Sequence, residues 1–130
     1  MMDEMSEIEK SLAELAQKIV MQETLKKRKM LIFVEVQEEE KEDFLVGKDG
    51  KPNFNYYGFM FVTENYAVIR LKKPVSPVTF FHEVVHVKQK TRRKRRFSYR
   101  RSTPEIEARC LGRIYQQKYG PEFNEIVRRY

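Results

Sequence analysis

Both histidines of this 130-residue chain lie in one short stretch, "FHEVVHVKQ" (Phe81 to Gln89), four positions apart and with a glutamate after the first. On an α-helix, residues four apart sit one turn above each other on the same face, so His82 and His86 can aim their rings at a single ion. Zinc takes this arrangement from two of its ligands. Glu83 projects about 100° further round the helix, within reach of a water on such an ion but not of the ion itself. A zinc ion lowers the pKa of its water to about 7 and polarises a carbonyl, and a neighbouring carboxylate can accept the proton, which together is the chemistry of amide hydrolysis. The plain alternative is a helix whose polar stripe faces solvent.

Two histidines are one protein ligand short of a catalytic zinc site. The single cysteine, Cys110, has no partner for a disulfide or a thiolate pair, so the third ligand has to be a carboxylate. "STPEIEARCLGRIY" offers Glu105 and Glu107. In helical projection Ile106, Cys110, Leu111 and Ile114 centre an apolar face that includes Glu107, which if buried there would need a cation to offset its desolvation. Glu105 shares the opposite stripe with Arg109 and Gly112, and Gly112 would let another helix approach closely. Both remain candidates on the residues alone.

The elements that must hold these groups follow from periodicity. Ile8, Leu12, Leu15 and Ile19 predict an amphipathic helix over residues 4–28. Met30 to Gln37, Phe54 to Val62 and Tyr66 to Lys72 are β-branched and aromatic and read as three strands, with Asp49-Gly50 and Pro52 reversing the chain after the first. Ser76-Pro77 is a helix start, giving a helix to about Arg93. On its wheel Val78, Phe80, Phe81, Val84, Val85 and Val87 cover most of the circumference, leaving His82, His86, Gln89 and Arg93 as a narrow polar stripe. Thr103-Pro104 repeats the start signal for a helix to about Lys118, which Gly120-Pro121 is expected to stop, leaving a short closing helix to Tyr130. The expected fold class is α+β: a backing helix, a small three-stranded, mainly antiparallel sheet, two helices bearing the site and a short C-terminal helix, in one domain over residues 1–130.

"HEVVHVKQ" followed by "PEIEARCLG" resembles the gluzincin class of zinc metallopeptidases, in which a glutamate on a downstream helix completes the His-Glu-x-x-His site. The order of elements is similar as well, and for so short a chain the nearest resemblance is to the minimal archaeal members, the minigluzincins. Its specific motifs occupy residues 82–89 and 105–112. The resemblance implies a Zn2+ peptidase with His82, His86 and Glu105 on the metal and Glu83 as general base. In the family pattern Glu-x-x-x-Asp the first residue is the ligand. Arg109 stands where the Asp would be, which removes the carboxylate that usually orients a zinc histidine.

The same resemblance implies a peptide or protein substrate added as an extra strand along the edge strand at Tyr57, Gly58 and Phe59. Gly58 there either admits a peptide backbone or marks a bulge. Tyr99, Tyr115 or Arg109 would supply an oxyanion donor. Members of this minimal group are similar to latent enzymes whose own terminal segment fills the cleft, the part "GPEFNEIVRRY" would play here.

Charge supports a second reading from a different class. Residues 1–65 hold 9 Lys/Arg against 14 Asp/Glu and residues 66–130 hold 17 against 5, or −5 and +12 within a net +7. Arg92, Arg93, Lys94, Arg95 and Arg96 open the densest stretch, residues 92–101, a candidate contact for nucleic acid or an acidic partner. In that reading the chain is a basic nucleic-acid-binding protein and HEVVH is structural or degenerate. No apolar run approaches the roughly 18 residues of a membrane span, and "MMDEMSEIEK" lacks the apolar core of a signal peptide, so a cytoplasmic protein is expected.

Overall fold

The structure, a computed structural model, describes residues 5–23, 31–37, 58–63, 65–90 and 102–129. Its first helix, α1 (Glu7–Gln22), begins where Ser6 caps it: Ser6 Oγ accepts from the Glu9 backbone at 3.3 Å while Ser6 N donates to Glu9 Oε1 at 2.8 Å. Leu12, Leu15, Ala16 and Ile19 form its buried stripe. Two polar side chains of α1 then meet β1 (Leu31–Gln37): Glu9 Oε2 accepts from Val36 N at 2.7 Å and Gln17 Oε1 from Ile32 N at 3.3 Å. An edge strand's outward N–H groups are a template for unwanted pairing, and here α1 occupies two of them.

The sheet is completed by β2 (Gly58–Val62) and β3 (Tyr66–Lys72) in the order β1-β3-β2. β3 runs parallel to β1 and antiparallel to β2. The α+β class is therefore as the sequence implies, but the sheet is mixed rather than mainly antiparallel. Three strands read in chain order suggest a meander, whereas the strand with the most continuous apolar run takes the centre: Ala67, Val68, Ile69 and Leu71 of β3 are all buried. Alternation sorts the two faces. Ile32, Val34, Ala67, Ile69 and Leu71 join the helices in the main core, while Phe33, Glu35, Val68, Arg70 and Phe61 share the other face. On that second face Glu35 pairs with Arg70 at 2.9 Å and the Arg70 guanidinium lies over the Phe61 ring.

α2 (Pro77–Lys90) starts as read, with Phe80 N donating to Ser76 O at 3.0 Å. α3 (Ser102–Arg129) does not. It passes through Pro121 and continues to Arg129, so the stop at Gly120-Pro121 and the separate closing helix are both corrected. A proline inside a helix costs about 3 kcal/mol. Tyr119, Phe123 and Ile126 are buried beyond or beside it, and each such side chain contributes about 1.5–3 kcal/mol when removed from water. Phe123 alone meets the Phe80 and Phe81 rings at centroid distances of 5.2 and 5.7 Å. Burial outweighs the lost hydrogen bond.

Continuity also corrects the helical face. Ile106 and Ile114 are 56% and 53% exposed and Cys110 is exposed, while Ala108, Gly112, Tyr115, Tyr119, Phe123 and Ile126 form the buried stripe. Projected only as far as Lys118, the helix hides its aromatic anchors, and two isoleucines define the wrong side. No described helix is long and apolar enough to cross a membrane.

Candidate metal centre

α2 is held in place by Phe80, Phe81, Val84, Val85 and Val87, all fully buried, and this leaves one stripe to α3. Val78, read as part of the apolar surround, is instead 63% exposed at the start of the helix. Across that stripe Gly112 brings α3 close, since a Cβ added there would stand 3.6 Å from the backbone N and Cα of His82. Gln89 meets Pro104 and Glu107 at the other end, so the two helices run antiparallel, with the first turns of α3 facing the last turns of α2.

That packing brings His82, His86 and Glu105 together. The two Nε2 atoms are 3.1 Å apart, and the Glu105 carboxylate straddles them, with Oε2 3.1 Å from His82 Nε2 and Oε1 2.9 Å from His86 Nε2. Of the two candidate carboxylates, Glu105 thus reaches the histidines. Glu107 accepts from Gln89 Nε2 at 2.8 Å instead.

Gln89 fixes the chemistry of the cluster. Its Nε2 faces two acceptors, Pro104 O at 2.9 Å and Glu107 Oε1 at 2.8 Å, so its Oε1 must face His86 Nδ1, 2.8 Å away. His86 Nδ1 therefore carries a proton, and in the neutral ring Nε2 presents a lone pair to a carboxylate oxygen and to a second imidazole. Lone pairs converging in this way require a shared proton or a cation. A tetrahedral zinc ion with bonds of about 2.0–2.1 Å separates its ligand atoms by about 3.3 Å. The observed separations of 2.9 to 3.1 Å are hydrogen-bond distances, a few tenths of an ångström shorter than that.

Gln89 is the functional residue that the sequence reading left without a role. It was visible in the polar stripe, three residues after His86, and it is 4% exposed. It holds the His86 ring by Nδ1 from the same helix, α2.

Glu83 lies beside the cluster and is 8% exposed. Burial, and then the nearby Glu105 charge, push its carboxyl up to about 8. Among the described residues no hydrogen bond holds that carboxylate. Burial, and then His86, shift His82 below the ordinary histidine range, which favours the neutral ring that binds metal.

The remaining expected residues are placed less centrally. Gly58 opens β2 opposite Leu71, and a Cβ there would collide with Thr79 Cγ2 and press on Glu83 Cγ at 3.3 Å. Its lack of a side chain thus admits α2, a reason different from either reading made of it. Phe59 is in β2 opposite Arg70. Tyr115 is buried, with its hydroxyl accepting from Lys88 Nζ at 2.7 Å. Arg109 is exposed and borders a hollow beside His82. Tyr57, Tyr99 and the basic residues Arg92, Arg93, Lys94, Arg95 and Arg96 lie outside the described residues. From Glu105 to Gly120 the axis of α3 advances roughly 22 Å at 1.5 Å per residue. Residues 120–129 accordingly pack on the core and α1, where Glu122 pairs with Lys18 at 2.8 Å, rather than in the cleft as a latency segment would.

No protein-family profile, curated protein or solved structure matches the chain.

Proposed function

We propose that the chain is a zinc-dependent peptidase of the gluzincin type, with His82, His86 and Glu105 as metal ligands and Glu83 as general base. The observation that carries this reading is the lone pair of His86 Nε2, which the Gln89 network turns towards His82 and Glu105. A bound zinc ion supplies the Lewis acidity that activates a water and polarises the scissile carbonyl. Glu83 takes the proton of the attacking water and passes it to the leaving amide nitrogen. Burial and the Glu105 charge raise the Glu83 carboxyl, which suits the proton-carrying half of that exchange, and the charge of a bound cation beside it would favour the carboxylate that the first half needs. Gln89 keeps the His86 ring oriented throughout. β2, the sheet edge beside α2, is where an extended peptide would add as a further strand, along the backbone of Gly58 and Phe59.

The test is elemental analysis of the purified protein together with hydrolysis of an unfolded protein substrate. The expected result is one zinc per chain in the wild type, lost in His86→Ala. In Glu83→Gln the zinc is kept while turnover falls by about 10²- to 10⁴-fold, the usual contribution of a positioned acid or base. A wild-type protein that stays metal-free when zinc is supplied would remove the reading.

A further inference from the structure

The hollow beside His82 belongs to no step of that chemistry. It is bordered by Val78, His82, Arg109, Gly112, Arg113 and Gln116, so it lies in the groove between α2 and α3 beside one member of the cluster, His82. Its charge is unusual in two respects. Arg109 follows Glu105 by four residues, the spacing at which carboxylate and guanidinium pair along a helix, yet the Glu105 oxygens are turned to the histidines. Arg113 stands one further turn along. Two like charges at that spacing oppose each other, and among the described residues neither arginine has a carboxylate partner. Apolar and amide groups stand beside them: Val78 is exposed at the rim, and Gln116 adds a side-chain amide.

We infer that this hollow is a carboxylate-binding subsite that selects peptides bearing a carboxylate within a residue or two of the bond cleaved. The inference rests on the peptidase reading for its substrate class. Guanidinium groups bind carboxylates through paired, charge-assisted hydrogen bonds. The aliphatic stem of such a residue would lie on Val78. The net charge of +7 favours anionic peptides over cationic ones in general. The carboxylate is either an acidic side chain or the C-terminus of the peptide itself.

The experiment is calorimetric titration of zinc-loaded Glu83→Gln, which binds without turnover, with blocked pentapeptides alike except for a central Glu or Gln. A second pair, all-alanine, differs only in a free or amidated C-terminus. The charged member of one pair should bind about 10- to 100-fold more tightly, the range of a charge-assisted pair, and Arg113→Ala should abolish that difference while leaving the neutral peptide unchanged. Preference within the Glu/Gln pair identifies a side-chain carboxylate, and preference within the free/amidated pair identifies a terminal one. Equal affinities in both pairs, or a preference that survives Arg109→Ala and Arg113→Ala together, would overturn the subsite. Zinc content and wild-type hydrolysis of the neutral peptide are read in parallel, so a failure of the peptidase reading is seen separately from a failure of the subsite.

Discussion

The two ends of α3 do different work with the same backbone. Between Pro104 and Arg113 the face turned to α2 carries Glu105, Ala108 and Gly112, residues that are charged or small, and they let polar groups of two helices meet. Between Tyr115 and Ile126 the same stripe carries Tyr115, Tyr119, Phe123 and Ile126, all buried. One end gains little from hydrophobic burial and holds unlike groups in register; the other anchors the helix through aromatic rings. A site made of close polar contacts is thus held by packing several turns away, and stability and metal binding should be separable by position along one helix.

The largest expected effect tests the anchoring end. Phe123→Ala removes a ring that touches both Phe80 and Phe81, and such truncations cost about 3–5 kcal/mol. Thermal denaturation should show a fall of many degrees, while the fraction that stays folded keeps full zinc content. Loss of zinc from that folded fraction would show that the two ends are not separable. Deleting residues 120–130 should unfold the protein for the same reason, and an active, folded truncation would contradict the placement of this segment in the core.

Glu105→Ala makes the converse change at the other end. The carboxylate is 50% exposed, so its removal should change the stability of the metal-free protein by no more than about 0.5 kcal/mol, as for most surface substitutions. Zinc stoichiometry, measured by elemental analysis, should fall to near zero. A smaller effect is expected at Gln89, which among the described residues touches the site through His86 and the start of α3. Gln89→Ala should weaken zinc binding by about 10- to 100-fold in chelator competition, the range found for partners that orient a metal histidine. An unchanged affinity would mean that the His86 ring is positioned by packing alone.

The difference between the two ends also explains what could be read from the residues. His82, Glu83 and His86 were legible because a helical repeat of four fixes them relative to one another without any tertiary information. Glu105 and Glu107 could not be ranked, because their order depends on which face of α3 meets α2, and that face is set by Tyr119, Phe123 and Ile126 beyond an expected stop. Local chemistry at Pro121 was read correctly as unfavourable, but the burial that overrides it is long-range. The sheet shows the same limit: its strands were marked by composition, while the parallel pairing of β1 and β3 depends on which strand takes the centre.

The smallest expected effects come from two glycines of α3, and they should differ in sign. At Gly112 an added Cβ would stand 3.6 Å from the His82 backbone, an ordinary contact, so Gly112→Ala fits the helix interface as it is. Alanine is favoured over glycine in a helix interior by about 1 kcal/mol, which should raise Tm by a few degrees with zinc content unchanged. At Gly120 the nearest atom beyond its chain neighbours and its own helix backbone is Gln116 Cγ at 4.0 Å, so no other part of the fold crowds it. The next residue, however, is Pro121, and a Cβ on the residue before proline clashes with the proline ring in the helical conformation. Glycine avoids that clash, so Gly120→Ala should give no gain and a slight loss. Equal stabilisation at both positions would show that α3 bends at Pro121 enough to relieve the clash, and the aromatic anchors would then be positioned by the bend as well as by their burial.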